Sequence, residues 1–156
     1  MRAALSFLLL PLFLGQGNAT PRRAHRLGAL QNQQLGDGDC GCEITIGKGG
    51  DKRKIFVVDA LHDDGSATAN IDGKDVLLRR SGARDESAHR VGQHYSETWI
   101  GDSSLIVKID YRVTKTCGHG LPTEDAGCEG VDLAALLTVS DGKTTETVKG
   151  AGYCGC

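Results

Sequence analysis

From Ile44 onward, apolar and polar positions alternate with a period of two, the pattern of half-buried strands. The pattern is richest between Lys54 and Arg79, where Asp64-Gly65 and Asp72-Gly73 separate three runs. Asp-Gly at the centre of a two-residue loop favours positive φ at both positions, with a twist that suits a hairpin. Centring one hairpin on Asp64-Gly65 sets Val58 opposite Ile71, Ala60 opposite Ala69 and His62 opposite Ala67. Centring the next on Asp72-Gly73 sets Ala69 opposite Val76 and Ala67 opposite Leu78. Both registers bring Phe56, Val58, Ala60, Ala67, Ala69, Ile71, Val76 and Leu78 to one face, and a one-residue slip would scatter them. A three-stranded antiparallel meander with one apolar face is predicted.

Further along, Tyr95 to Ile100 reads as a short strand and Gly101-Asp102 as a turn. Leu105, Val107, Ile109, Tyr111 and Val113 alternate with polar residues, as do Val131, Leu133, Ala135, Leu137 and Val139. Asp141-Gly142 turns the chain into a last strand, Thr144 to Val148, which leads to the terminal cysteines. No long stretch carries a helical period. The count predicts an all-β fold, a single antiparallel β-barrel or sandwich of about eight strands. Between these runs, residues 80–94 are polar and follow neither period. A connection of that length in a small domain is uncommon unless it is functional or disordered.

Upstream, Met1-Arg2 precedes the apolar run Ala3 to Leu14 and a small-x-small site at Gly17-Asn18-Ala19. This is the pattern of a secretory signal peptide over residues 1–19, and the run is too short for a bilayer that needs about 20 apolar residues. The expected location is therefore the periplasm or the extracellular space, with no membrane anchor. Residues 20–39 have no sustained apolar period and are predicted to be a flexible leader; residues 40–156 form the single β domain. The formal charge of −2 falls to −3 once Arg2 is lost with residues 1–19, and acidic and basic residues are interleaved. That balance argues against nucleic acid as a partner, because phosphate binding requires clustered positive charge.

All six cysteines, Cys40, Cys42, Cys117, Cys128, Cys154 and Cys156, lie beyond the leader peptide. In an oxidising compartment an even count reads first as disulfides, so the domain is expected to be disulfide-stapled. Cys117 and Cys128 would close a short ring around the loop 118–127. The identical tripeptides Cys40-Gly41-Cys42 and Cys154-Gly155-Cys156 each put two sulfurs on one side of a strand. Pairing 40/42 with 154/156 would fasten the first strand to the last. A four-thiolate zinc site and a thiol–disulfide exchange pair stay open as alternatives. The five His are too dispersed for a metal cluster, and Asp37-Gly38-Asp39 and Asp63-Asp64 lack Ca²⁺-loop spacing. No cofactor and no other metal site is expected.

Ser81, Ser87, Ser96, His89, His94, Asp85 and Glu86 are ordinary contents of a polar loop. The chain has no Gly-x-Ser-x-Gly elbow, no phosphate loop and no His-Glu-x-x-His. A non-enzymatic binding protein is the expectation, with candidate contacts at Ser81, Gly82, Arg84, Tyr95, Trp99, His119 and Leu121. A purely structural envelope role is a further alternative.

Residues 72–107 resemble the periplasmic inhibitors of C-type lysozyme, which are small eight-stranded barrels. In that family an Asp-Gly hairpin precedes a Ser-Gly-x-x-Tyr loop, followed by a Tyr-x-x-x-Thr-Lys-Gly element and an acidic residue. Here Asp72-Gly73-Lys74 precedes Ser81-Gly82-Ala83-Arg84, and Tyr95-Ser96-Glu97-Thr98-Trp99-Ile100-Gly101-Asp102 follows. Asp85 stands where the first motif has Tyr, and Ile100 where the second has Lys. The resemblance spans about a quarter of the chain. It implies a barrel and a lysozyme-like hydrolase as partner, approached by Ser81 and, in place of the missing residues, Arg84. Intact-mass measurement of the exported protein is expected to give a chain beginning at Thr20; retention of residues 1–19 would refute the signal peptide.

Overall fold

The computed structural model describes residues 23–32, 40–59, 65–83, 90–116 and 130–155. Its strands are β1 (Leu27–Gly28), β2 (Gly41–Ile46), β3 (Arg53–Asp59), β4 (Ser66–Ile71), β5 (Lys74–Ser81), β6 (His94–Ile100), β7 (Ile106–Thr116), β8 (Val131–Ser140) and β9 (Thr145–Gly155). From β2 to β9 each strand pairs antiparallel with the next, and β9 returns to pair with β2. The result is a closed eight-stranded antiparallel barrel with β1 added alongside β4. Closure removes the free edges that an open sheet of this size would expose.

Alternation places the core where the sequence pattern puts it. Val131, Leu133, Ala135, Leu137 and Val139 of β8 are all buried, facing Val107, Ile109 and Val113 of β7. Trp99 of β6 is fully buried and meets Phe56 of β3 edge to face, 5.5 Å between ring centroids. The β4–β5 hairpin has the expected register, Ala69 opposite Val76 and Ala67 opposite Leu78. Asp72 and Gly73 both adopt positive φ, 54° and 79°, the primed turn that an Asp-Gly pair favours.

The β3–β4 register departs from expectation. Phe56, not Ala60, lies opposite Ala69, a displacement of four residues along β3 from the pairing that a turn centred on Asp64-Gly65 imposes. An even displacement preserves the inward face, so the apolar set survives although its partners change. Residues 60–64, including Ala60 and His62, lie outside the described residues.

One cause of the irregularity is local. Between Ile44 and Thr45 of β2 the partner on β3 jumps from Phe56 to Lys54, leaving Ile55 as the extra residue of a β-bulge. Ile55 and Phe56 are consequently both buried although they are neighbours. The bulge coincides with the place where β3 parts from β4: their pairing consists of Phe56 and Val57 with Ala69 and Thr68.

The edge of β4 left open at Asn70 and Ile71 is taken by β1, with Leu27 opposite Ile71 and Gly28 opposite Asn70. Within the stretch 20–39, expected as a flexible leader, residues 23–32 pack on the barrel, while 20–22 and 33–39 lie outside the described residues. Leu27 joins the main core and Leu30 is buried. Gly28 lets β1 approach closely: a Cβ there would meet Asn70 Oδ1, which would have to move from its place beside Asp75.

Cys42 of β2 is opposite Cys154 of β9 and bonded to it, with Cα atoms 4.0 Å apart. Cys40 is disulfide-bonded as well. The staple therefore lies on the seam that closes the barrel, between residues 112 apart in sequence. Replacing Cys42 and Cys154 together by Ala is expected to lower unfolding free energy by about 2–4 kcal/mol. Denaturant titration measures this, and an unchanged midpoint would show that the β2–β9 ladder closes the barrel without the bond.

Candidate functional site

In an up-and-down barrel alternate connections fall at opposite ends. At one end the connections are 47–52, 72–73, 101–105 and 141–144, all short. At the other are 60–65, 82–93 and 117–130, together with the start of β2, the end of β9 and the Cys42–Cys154 bond. The long connections, and with them the two loops that the sequence offered for recognition, share the second end. Residues 84–89 and 117–129 of those loops lie outside the described residues.

The wall of the barrel near this loop-bearing end differs from the aliphatic middle. A separate apolar cluster of Tyr95, Val113, Val131 and Leu133 forms there, with Tyr111 and Cys154 packed against it. Tyr95 and Tyr111, paired across β6 and β7, stack at 5.3 Å. Alternation then forces two charged residues inward. Arg80 follows Val76 and Leu78 on the inner side of β5, and Glu97 lies between Tyr95 and Trp99 on the inner side of β6.

These two charges meet beside the indole. The Arg80 guanidinium carbon sits 4.7 Å from the Trp99 ring centroid, and Nη2 is 3.8 Å from Glu97 Oε1. Both side chains are four-fifths or more buried. Arg80 Nε and Trp99 Nε1, both buried, have no hydrogen-bond partner among the described residues. A buried N–H without an acceptor is costly, so this spot favours any acceptor that reaches it. The signal for Arg80 and Glu97 was present in the sequence, because each occupies an inward position of an alternating strand. They went unnoticed because charge was read as exposure.

The sequence-chosen contacts divide three ways. Ser81, the last residue of β5, and Gly82 are exposed at the loop-bearing end. Tyr95 and Trp99 are buried in the wall, 7% and 0% exposed. An aromatic residue on an inward strand position belongs to the core, and the parity of β6 decides this. Arg84, His119 and Leu121 lie outside the described residues, as do Cys117, Cys128 and Cys156.

As for metal chemistry, the Cys42 and Cys154 sulfurs are bonded to each other and are not thiolate ligands. Among the described residues no group of three or more His, Cys, Asp or Glu is placed to hold a metal ion.

At the opposite end, carboxylates dominate. Asp72 accepts from the Arg26 N–H at 2.8 Å and lies 2.6 Å from His25 Nδ1, while His25 Nε2 lies 3.6 Å from Asp141. The His25 hydrogen bond holds the Asp72 carboxyl below its usual range, against a smaller opposing effect of burial. Burial pushes the Asp75 carboxyl upward, but Asn70 and the N–H groups of Asn32 and Gln31 together bring it below its usual range.

No family model, curated protein or solved structure matches this chain.

The Arg80–Glu97 pair supplies a test of the inward-charge geometry. Glu97→Ala leaves the guanidinium buried without its counter-charge and is expected to cost about 1–3 kcal/mol. The double change Arg80→Met with Glu97→Leu is expected to recover most of that loss, since apolar replacement of a buried pair is often neutral or stabilising. Thermal unfolding followed by fluorescence of Trp99, the single tryptophan, compares them. Equal stability of Glu97→Ala and wild type would mean the pair is solvated.

Proposed function

We propose that this protein is an exported, disulfide-stapled binding protein that engages another protein through the loop-bearing end of its barrel. The observation that carries this is the asymmetry of the two ends. Short turns and a packed N-terminal segment occupy one end, while the two long connections between barrel strands, 82–93 and 117–130, join strands at the other, on a rim fixed by the Cys42–Cys154 bond. Loops mounted on a rigid barrel bind with less ordering cost than the same loops on a mobile support.

The partner proposed is a lysozyme-like hydrolase, on the resemblance of residues 72–107 to the periplasmic lysozyme inhibitors. In support, Ser81 and Gly82 stand exposed at the rim, where a loop entering a cleft must begin. Nothing in this role requires the protein to turn over a substrate.

Purified full-length mature protein assayed against several C-type lysozymes at micromolar concentration is expected to reduce bacterial cell-wall lysis. Ser81→Ala combined with Arg84→Ala is expected to relieve that inhibition at least tenfold while leaving thermal stability within about 0.5 kcal/mol, the usual range for surface changes. Full lysozyme activity at saturating protein would refute the hydrolase as partner.

A further inference from the structure

Residues 23–32 form an extended segment across the short-turn end of the barrel, and their attachment has an unusual chemistry. Four carboxylates from two hairpins, β4–β5 and β8–β9, hold them. Asp72, in the β4–β5 turn, accepts from Arg26 N–H and faces His25. Asp75 of β5 accepts from Gln31 N–H at 3.0 Å and Asn32 N–H at 2.9 Å. Glu146 of β9 accepts from Leu27 N–H at 3.1 Å, across 119 residues of sequence. Asp141, in the β8–β9 turn, faces His25 Nε2.

The remaining ties do not involve carboxylates and are few. They are the two-residue β1–β4 pairing, Asp72 N–H to Arg26 O, Leu30 N–H to Lys54 O, the Gln31 side chain to Gly73 O, and the burial of Leu27 and Leu30. The barrel beneath depends mainly on a different set of bonds, continuous strand ladders and a disulfide, which do not titrate in acid; its ion pairs, Arg80–Glu97, Lys54–Glu43 and Lys108–Asp110, add to these rather than replace them.

We propose that residues 23–32 are a proton-released strap: protonating the carboxylates that hold it frees the segment while the barrel stays folded, uncovering the β3–β4 seam. The exposed elements are the Asn70–Ile71 edge of β4, which β3 abandons at the Ile55 bulge, and the apolar seat of Leu27 against the core.

The direction follows from the charges that face each group. His25 and Arg23 face Asp72, His25 faces Asp141, and the neutral amide of Asn70 faces Asp75. Asp72 and Asp75 both ionise below the ordinary aspartate value in the attached state. Their contribution to attachment is therefore fully present above that value and is lost as pH falls through the lowered one. The contacts of His25 with Asp72 and Asp141 hold the segment while these carboxylates stay charged, so release waits for the carboxylates. This device is independent of what binds at the loop-bearing end.

Backbone ¹⁵N relaxation of the full mature chain, recorded from neutral pH down to about 2, well below the ordinary aspartate value of about 3.9, tests it directly. Leu27, Gly28, Leu30 and Gln31 are expected to become as mobile as an unfolded segment as the pH falls through the lowered aspartate range toward about 2, while Val107 and Leu137 stay rigid. Loss of order in the strap only together with the barrel, or a strap still ordered at the lowest pH, overturns the proposal. A second arm needs no acid. Asp75→Asn with Glu146→Gln is expected to raise strap mobility at neutral pH, whereas Asp51→Asn, in the exposed β2–β3 connection, leaves it unchanged. A double variant whose strap stays as ordered as in wild type counts equally against the idea.

Discussion

The meeting of β2 with β9 joins residues separated by more than a hundred positions, and every other strand pairing in the barrel is between neighbours in sequence. Neighbouring hairpins are cheap to form, because little chain entropy is lost in closing a short loop. Closing the ends of an eight-stranded sheet onto each other is the step that costs most. The identical Cys-Gly-Cys tripeptides stand at that step, and the Cys42–Cys154 bond fixes its register. In the chain-entropy account, a cross-link over about a hundred residues removes close to 5 kcal/mol of freedom from the unfolded chain. Without closure the sheet would carry two exposed edges, and its inward residues, Trp99 and Phe56 among them, would lack the opposite wall.

Closure also accounts for the division of labour between the two ends. Once the wall is sealed, each end becomes a separate surface with its own chemistry. One end is covered by residues 23–32 and bounded by carboxylates. The other combines a stapled rim, an inward cation against an indole, and the longest connections in the chain. A rigid wall between them means that changes at one end need not disturb the other.

Much of the barrel was legible in the sequence because inward and outward positions alternate strictly. β8 reads without error from Val131 to Val139, and Asp72-Gly73 dictates the β4–β5 register through backbone geometry alone. The failures have a common physical origin in interactions that sequence periodicity does not encode. The Ile55 bulge follows from cross-strand pairing, so Lys54-Ile55-Phe56-Val57-Val58 shows no local sign of it. The strap has only Leu27 and Leu30 to announce it, and its true anchors are carboxylates 40 to 120 residues away. Tyr95 and Trp99 stand in the stretch that resembles the inhibitors' second motif, which does not say which way they point. Counting along β6 places them inside. The same count places Glu97 and Arg80 inside, where hydropathy alone would not.

The order of the strands has a consequence for how the molecule is made. A chain emerging N-terminus first can build the β2-to-β8 meander as it appears, yet the outer edge of β2 has no mate until β9 has been synthesised. Until then Cys42 and the β9-facing edge of β2 stay unmatched, and Leu27 waits for a carboxylate that arrives 119 residues later. Such long-lived open edges are prone to pair with the wrong neighbour. The arrival of β9 is thus the step at which the barrel can close and the Cys42–Cys154 bond can form.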